Sequence, residues 1–303
     1  MKIKPILLAL SGILLANSFV TKVEASPSPA VDPVSQPLSQ LETSFDGQIG
    51  VYAINTGNGQ VIAYRADQRF PFQSTSKLLD VAALLKQSNS KSGLMQKKIH
   101  YTESDLMTWH PITGKYLGSG MTLEALSAAA MSYSDNPAAN LIIKEVGGPV
   151  AVTRYAHSIG NQSFNMEHDE RALNSDPNNP DDTVTPKDMA ISLQKLILGN
   201  ALSKSQRAEL VAWMMANTTS YKRMRSGVPI GWTIADKTGS GSYGVANDIG
   251  LLWSPLCKPI VLAIYTVSSQ KSAKPNDAIV AQTTQIVMNA LAEQDACFAA
   301  LNS

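Results

Sequence analysis

Strand patterns lie at both ends of this 303-residue chain, and a long helical pattern separates them. Within 48–64, branched residues flank a Gly-rich reversal, which predicts a hairpin. Apolar residues recur at helical spacing through 74–199. Three further strand patterns precede a closing helix, at 232–236, 245–253 and 259–267. This order of elements favours one sheet built from both ends of the chain, with helices inserted between them.

The predicted fold is therefore α+β, of the α/β sandwich type. We expect a mixed, mainly antiparallel five-stranded sheet flanked by terminal helices, with an inserted all-α domain. The sheet domain takes 41–68 and 217–303, and the all-α domain takes 69–216. With 44% hydrophobic and 16% charged residues, the chain can bury a substantial core.

The first 40 residues read as export and spacer segments. Lys2 and Lys4 precede an apolar run at 5–15 and small or branched residues at 23–25, which predicts a signal peptide over 1–25. The alternative is a membrane anchor, but the apolar run is shorter than the roughly 18 residues that a span needs. Prolines with Ser and Asp in 26–40 predict a flexible leader. We expect a periplasmic or secreted protein.

Export changes the interpretation of the two cysteines, because an oxidising compartment permits disulfides. A predicted strand after Cys257 and a helix of similar length running back would bring Cys297 close to it. A bridge and two free buried thiols both remain open. The net charge of +1 gives no electrostatic signature for nucleic acid or an anionic membrane, so a small-molecule partner is the default.

A serine and a lysine stand one helical turn apart where the middle segment begins. Ser74 opens the first predicted helix there, and Lys77 follows on the same face. A lysine held close and partly desolvated can take the proton of a serine hydroxyl, which makes that hydroxyl a nucleophile. The same spacing begins at Ser88, Ser192 and Ser268. The pair alone therefore does not identify a site.

A second motif, Ser-Asp-Asn at 134–136, has a structural and a chemical interpretation. Asp or Asn before Pro137 is a common helix N-cap. Alternatively, Ser134 passes a proton to a leaving nitrogen while Asn136 holds a substrate carbonyl. Both interpretations can hold together.

A third motif, Lys-Thr-Gly at 237–239, follows a predicted strand and precedes a turn. It is either a plain turn with a solvated lysine or an edge against which a substrate lies. In the second case the glycine permits close approach, and Lys237 and Thr238 meet an anionic group. No two of the four histidines are spaced to share a helix face, so no metal site is predicted.

The order Ser-x-x-Lys, Ser-Asp-Asn, Lys-Thr-Gly is typical of class A β-lactamases and penicillin-binding proteins. Over nearly its whole mature length the chain resembles the class A serine β-lactamases, including Trp109-His110-Pro111, residues 129–133 and Gly231-Trp232. The resemblance implies a serine β-lactamase/penicillin-binding-protein-like fold. It also implies that the β-lactam amide bond is hydrolysed through an acyl-enzyme, which confers β-lactam resistance.

The resemblance also implies a role for each motif residue. Ser74 attacks the lactam carbonyl, Lys77 or Glu170 through a water removes its proton, and Ser134 protonates the departing nitrogen. The backbone N–H groups of Ser74 and Ser240 hold the oxyanion. The residues implied in substrate binding are Trp109, Asn136, Arg223, Lys237, Thr238, Gly239 and Ser240.

Release of the acyl group distinguishes a β-lactamase from its relatives. Glu170-Arg171-Ala172-Leu173-Asn174 is similar to the family's omega-loop motif, in which the glutamate activates water with help from the asparagine. We place the omega loop at about 167–183. The alternatives are a penicillin-binding D-Ala-D-Ala peptidase and a β-lactam sensor. Both keep Ser74 and Lys77 but lack the deacylating glutamate.

The sequence departs from the commonest family pattern in three ways, at four positions. His168 stands where most members have an arginine that pairs with an aspartate, here Asp182, so the loop is open to a different tether. Ala246 replaces an arginine that binds the substrate carboxylate, and Arg223 matches the alternative source. Gln73 and Gly241 occupy positions that form a disulfide in several carbapenem-hydrolysing members. We expect a monomer that binds small β-lactams and needs no cofactor, metal or nucleic acid, with no stable membrane anchor after signal removal.

Overall fold

A five-stranded antiparallel sheet organises the computed structural model, which describes Met1 and residues 33–299. The predicted signal peptide beyond Met1, and the leader up to residue 32, lie outside the described residues. The strands are β1 Gly47–Asn55, β2 Val61–Tyr64, β3 Phe70–Pro71, β4 Lys98–Ile99, β5 Met121–Thr122, β6 Thr183–Val184, β7 Thr233–Ser240, β8 Ala246–Trp253 and β9 Ile260–Ser268. The α-helices are α1 Ser35–Phe45, α2 Lys77–Ser88, α3 Leu123–Ser132, α4 Asn136–Val146, α5 Pro149–Ser158, α6 Pro186–Ile197, α7 Lys204–Met215, α8 Met224–Gly227, α9 Asp277–Gln294 and α10 Ala296–Ala299.

The strand order in the large sheet is β2-β1-β9-β8-β7. The predicted fold class is confirmed, and the hairpin predicted in 48–64 is the β1–β2 pair, in register at Ile54 and Val61. All four neighbouring pairs in this sheet are antiparallel. Strand β7 therefore forms one edge of the sheet, and its motif residues have a strand partner on one side only.

The strand predicted at 232–236 is longer than expected. The β7 ladder continues through the third motif, pairing Lys237 with Ile249 and Ser240 with Ala246. The motif is thus part of the strand, and the interpretation as a plain turn was wrong. Because Gly239 lies within an edge strand and has no side chain, another segment can approach its backbone closely.

Each face of the sheet is covered by helices. Alternate residues of β1, such as Ile49 and Val51, are fully buried in a core with α1 and α9. On the opposite face, Ala263 and Tyr265 of β9 belong to a second core shared with the middle helices, and α6 packs on β1 and β9. The period of two therefore gives the sheet two apolar faces.

Residues 35–40, predicted as flexible leader, are the first turns of α1. Val34 and Leu38 are fully buried, so apolar contact with the sheet outweighs the proline-rich composition. Within 69–216, expected to be all-α, the short pair β3–β6 joins Phe70 to Val184. The division into a sheet domain and an inserted helical domain stays a prediction.

The structure joins Cys257 to Cys297 in a disulfide with Cα atoms 5.9 Å apart. Of the two alternatives open at the sequence level, the bridge is the one observed. Cys257 follows β8, and Cys297 lies in α10. The bridge therefore ties the end of the chain to the sheet.

We expect the double variant Cys257→Ser/Cys297→Ser to be less stable by about 2–4 kcal/mol, since the unfolded chain regains the freedom of a 40-residue loop. The length of β8, roughly 25 Å, separates this bridge from the β7–β8 turn, which follows the third motif. Because the bridge is remote from that motif, catalytic rates should change less than about twofold. Denaturant unfolding with and without reductant measures the effect. Equal sensitivity of both proteins to reductant would contradict it.

Candidate active site

The nucleophile turn, Gln73–Ser76, is a single 3₁₀ turn that leads directly into α2. Asn247 of β8 donates its side-chain N–H to the carbonyls of Pro71 at 2.8 Å and Phe72 at 3.2 Å. The Thr75 hydroxyl contacts the Tyr265 hydroxyl of β9 at 3.0 Å. The sheet therefore holds Ser74 in a fixed place at the start of the helix.

Lys77 is completely buried and lies among oxygen atoms. Its Nζ donates to Ser74 Oγ at 2.7 Å and to Asn136 Oδ1 at 2.7 Å. It also donates to the Ser134 carbonyl at 3.0 Å and reaches Ser134 Oγ at 3.3 Å. The one-turn spacing predicted from sequence thus places the amine in direct contact with the predicted nucleophile, Ser74.

The structure confirms the capping interpretation of the second motif, and the chemical interpretation stays a prediction. Asp135 caps α4, since its Oδ1 accepts from the Ala138 N–H at 3.0 Å. The cap leaves Ser134 and Asn136, on either side of Asp135, facing Lys77. Ser134 adopts a φ of 56°, a left-handed conformation that is costly for serine and that clusters at functional sites.

Lys237 meets the same serine from the sheet side. Its Nζ donates to Ser134 Oγ at 3.0 Å and to the Thr238 carbonyl at 2.8 Å. Burial lowers the pKa of Lys237 well below its usual value, and the nearby charge of Lys77 adds to the effect. A negatively charged ligand group placed here would favour the protonated lysine.

Glu170 turns its carboxylate inward from the omega loop. Its side chain is 4% exposed, and Oε1 lies 3.3 Å from Lys77 Nζ. Its backbone N–H donates to Asn140 Oδ1 at 2.9 Å, which fixes the loop on α4. Burial raises the pKa of the neighbouring Asp80 well above its usual value, and Glu170 adds to that rise. This shift favours the neutral form of Asp80, and Glu170 is the carboxylate that lies within ion-pair distance of Lys77.

Asp182 closes the omega loop. It is fully buried, and it accepts the backbone N–H groups of Glu167, His168 and Asn174 at 2.9, 3.1 and 3.0 Å. His168 Nδ1 adds a fourth contact at 2.8 Å. His168 thus pairs with Asp182 where the resemblance assigns an arginine, and the loop is tethered through a different side chain.

The omega-loop tether should weaken with rising pH. The hydrogen bond from His168 to Asp182 raises the pKa of His168 above 6.5 in the folded protein. The stabilisation that this pair gives the fold is therefore complete below pH 6.5 and is lost as the pH rises through the raised pKa. We expect the wild type to lose about 1–3 °C of Tm relative to His168→Arg between pH 6 and pH 9. Thermal unfolding at both pH values measures this, and a pH-independent Tm difference would refute it.

Asn174 is engaged differently from what the resemblance implies. Its Nδ2 lies within hydrogen-bond distance of the carbonyls of Asp176, Asn179 and Asp181, at 3.1, 3.1 and 2.9 Å. Its Oδ1 accepts from the Asp176 N–H at 2.7 Å. The amide is directed at the backbone of its own loop and shapes that loop.

A cleft of about 560 Å³ opens between the nucleophile turn, the start of α4 and the edge of β7. Ten residues line it: Ser74, Trp109, Ser134, Asn136, Thr218, Thr219, Arg223, Thr238, Gly239 and Ser240. A methyl group built on Gly239 would lie 2.8 Å from the Phe72 carbonyl and 3.2 Å from the Ser74 nitrogen. Only glycine allows β7 to come this close to the nucleophile turn.

Two predicted cleft residues are held in place by polar contacts of their side chains. Trp109 is 56% exposed and donates its indole N–H to the Tyr133 carbonyl at 2.9 Å, so it stands as a wall. Arg223 Nη2 lies 2.6 Å from Ser240 Oγ, and its Nε pairs with Asp277 at 2.7 Å. The guanidinium of Arg223 therefore places a positive charge beside Ser240. Ala246, which stands where many family members have an arginine, cannot supply one.

Thr218 and Thr219 also line the cleft and were not predicted from sequence. The Thr218 hydroxyl donates to the Ser132 carbonyl at 3.1 Å, and the Thr219 hydroxyl shares a hydrogen bond with that of Thr238. Their only sequence signal is a run of small polar residues between α7 and Arg223.

Most of the described part of the chain matches known relatives. Residues 33–291 match the model of the β-lactamase enzyme family. β-Lactamase OXY-1 of Klebsiella oxytoca is 44% identical over 281 residues, covering 92% of this chain and 97% of that protein. The carbapenem-hydrolysing β-lactamase KPC of Klebsiella oxytoca is 44% identical over 260 residues, covering 85% and 89% of the two chains. A crystal structure of a β-lactamase from Desulfarculus baarsii superposes with a TM-score of 0.84 at 43% identity, covering 85% of this chain and 97% of that one.

These matches extend across the motifs, the omega loop and the sheet. Together with the contacts of Ser74, Lys77 and Glu170, they decide which hydrolase family this is. The chain belongs to the class A serine β-lactamases.

Proposed function

We propose that the protein hydrolyses the amide bond of β-lactams in two steps. An ester forms on Ser74, and water activated by Glu170 then hydrolyses that ester. One observation carries this proposal: Lys77 Nζ lies 2.7 Å from Ser74 Oγ and 3.3 Å from Glu170 Oε1. A nucleophile and a carboxylate that can activate water thus share contact with one buried amine. The relatives described above are all named β-lactamases, which supports turnover over a stable adduct.

In the acylation step, Ser74 Oγ attacks the lactam carbonyl carbon and the C–N bond of the ring breaks. The serine proton passes to Lys77, which contacts Oγ directly, or to Glu170 through a water. Ser134 gives its proton to the ring nitrogen and is reprotonated from the adjacent Lys77 or Lys237. The backbone N–H groups of Ser74 and Ser240 hold the oxyanion, each worth about 2.7–4 kcal/mol.

In the deacylation step, Glu170 takes a proton from water while the water oxygen attacks the ester carbonyl. The C–O bond to Ser74 then breaks, and the proton held by Glu170 passes to Ser74 Oγ by way of Lys77, which contacts both groups. Asn174 supports this step by shaping the loop that carries Glu170. A positioned base of this kind contributes about 10²- to 10⁴-fold.

The cleft accounts for substrate binding. Lys237 and Arg223 each offer a basic group to the substrate carboxylate, and Thr238 offers a hydroxyl. Asn136 meets the acyl side chain, Gly239 lets the substrate lie along the β7 edge, and Trp109 forms one wall.

Intact-protein mass, measured during steady-state hydrolysis of a penicillin, tests the proposed function. We expect the absorbance of the drug to fall over many turnovers while the protein mass stays that of the free enzyme. A long-lived adduct on the wild type, with one drug consumed per protein, would favour the peptidase or sensor alternative.

We also propose that the protein is exported and acts as a monomer. The disulfide supports an oxidising compartment. None of the helices in the described part combines the length and apolarity that a membrane span requires. Mass measurement of the periplasmic or secreted form would show whether residues 1–25 are removed.

A further inference from the structure

We propose that Gln73 is a positioning residue for deacylation. It ties the middle of the omega loop to the nucleophile turn and thereby holds Glu170 at its working distance from Ser74. This inference rests on the proposed function and adds a residue to it. Gln73 directly precedes Ser74, yet neither the acylation nor the deacylation chemistry uses it.

The contacts of Gln73 are those of a tether. Its side-chain Nε2 donates to the Asn174 carbonyl at 2.5 Å and to Ser175 Oγ at 3.0 Å. Both hydrogens of the amide are therefore used on the omega loop. The residue is 7% exposed, so these bonds form where water competes little.

Gln73 also occupies a strained backbone conformation. Its φ is 48°, in the left-handed region that non-glycine residues rarely adopt. A strained residue persists when its surroundings overdetermine it, and such residues cluster at functional sites. Here the strain lies one residue before the nucleophile, at the point where the side chain turns toward the loop.

A third segment fixes the position of this amide. A methyl group built on Gly241, just after β7, would lie 2.8 Å from Gln73 Cδ and 2.7 Å from Ser175 Oγ. The glycine thus makes room for the amide between strand and loop. Packing and hydrogen bonds together hold it in place.

The position of the tether relative to Glu170 gives it a function. Phe72 N–H donates to the Asp182 carbonyl at 3.0 Å, which fixes the closed end of the loop. Gln73 fixes the loop a second time, at 174–175. Glu170 lies between His168, which is bound to Asp182, and the Gln73 contact at Asn174. Two attachments on the residues before Ser74 therefore set the distance from the base to the nucleophile.

The test compares Gln73→Met, which keeps the length and loses both donors, with Gln73→Glu, which places an anionic acceptor against the Asn174 carbonyl. Gln87 provides the matched control, because its Nε2 also donates to a backbone carbonyl, that of Val146, at 3.0 Å on the far end of α2. Pre-steady-state mixing with a penicillin, followed by intact mass, separates acylation from deacylation. Hydrogen exchange of 167–183 without drug reports the loop directly.

We expect both Gln73 variants to deacylate about 10- to 100-fold more slowly and to accumulate adduct, because a misplacement of about 1 Å can cost this much. Acylation should change less than about threefold, loop amides should exchange faster, and Gln87→Met should match the wild type in each measurement. Equal losses in both steps, an adduct on Gln87→Met, or no adduct on either Gln73 variant would overturn the proposal. If the wild type neither hydrolysed the penicillin nor gained mass, the proposed function would be refuted. The tether is tested separately, because unchanged hydrogen exchange of 167–183 in both Gln73 variants would refute it.

Discussion

Replacing Ser74 by alanine should abolish both the covalent adduct and the turnover of penicillins. Without Oγ, Lys77 has no hydroxyl to deprotonate and the lactam carbonyl meets no nucleophile. We expect kcat to fall about 10⁵- to 10⁶-fold, the scale seen when a catalytic serine is removed. Drug hydrolysis and intact mass after long incubation measure the two effects.

Ser88 offers a control inside the same helix. It has the same spacing to Lys91 as Ser74 has to Lys77, but its hydroxyl donates to the Leu85 carbonyl at 2.7 Å, away from the cleft. Ser88→Ala should therefore change kcat less than about twofold. An adduct on Ser74→Ala would show that another residue carries the acyl group.

Replacing Glu170 by glutamine should convert the enzyme into a covalent trap. The amide keeps the shape of the side chain but cannot take a proton from water, so deacylation should fall about 10²- to 10⁴-fold. Intact mass should show one acyl group per protein after a single burst of drug consumption. The burst rate also identifies the acylation base, since a fast burst assigns that role to Lys77 and a slow one to Glu170.

Glu167, an exposed carboxylate three residues earlier in the loop, is the control for this substitution. Glu167→Gln should turn over like the wild type. If Glu170→Gln hydrolysed penicillin at the wild-type rate, another base would have to activate the water. The proposed role of Glu170 in deacylation would then be wrong.

Much of the fold and the candidate site could be predicted from the sequence, because both depend on short-range patterns. The one-turn spacing of Ser74 and Lys77 follows from helix geometry alone. The strands at both ends follow from branched residues at a period of two, as in β1 and β9. The cap at Asp135 is equally local.

The contacts that the sequence did not reveal depend on residues far apart in the chain. Nothing near Gln73 indicates that its amide reaches Ser175, and nothing near Thr219 indicates Thr238. The amide of Asn174 bonds to its own loop because that loop is closed by Asp182, which no local pattern encodes. Likewise, the start of α1 depends on burial of Leu38 against a sheet whose other strands come much later in the chain.

The edge position of β7 has a consequence beyond substrate binding. An exposed strand edge invites pairing with another molecule and hence aggregation. Here the interior residues of β7 are buried and only Thr233 and Ser240, at its two ends, are exposed, while the opposite edge, β2, is four residues long. The elements that build the catalytic cleft thus also cover the β7 edge, and the short β2 leaves little free backbone at the other edge for another molecule to pair with.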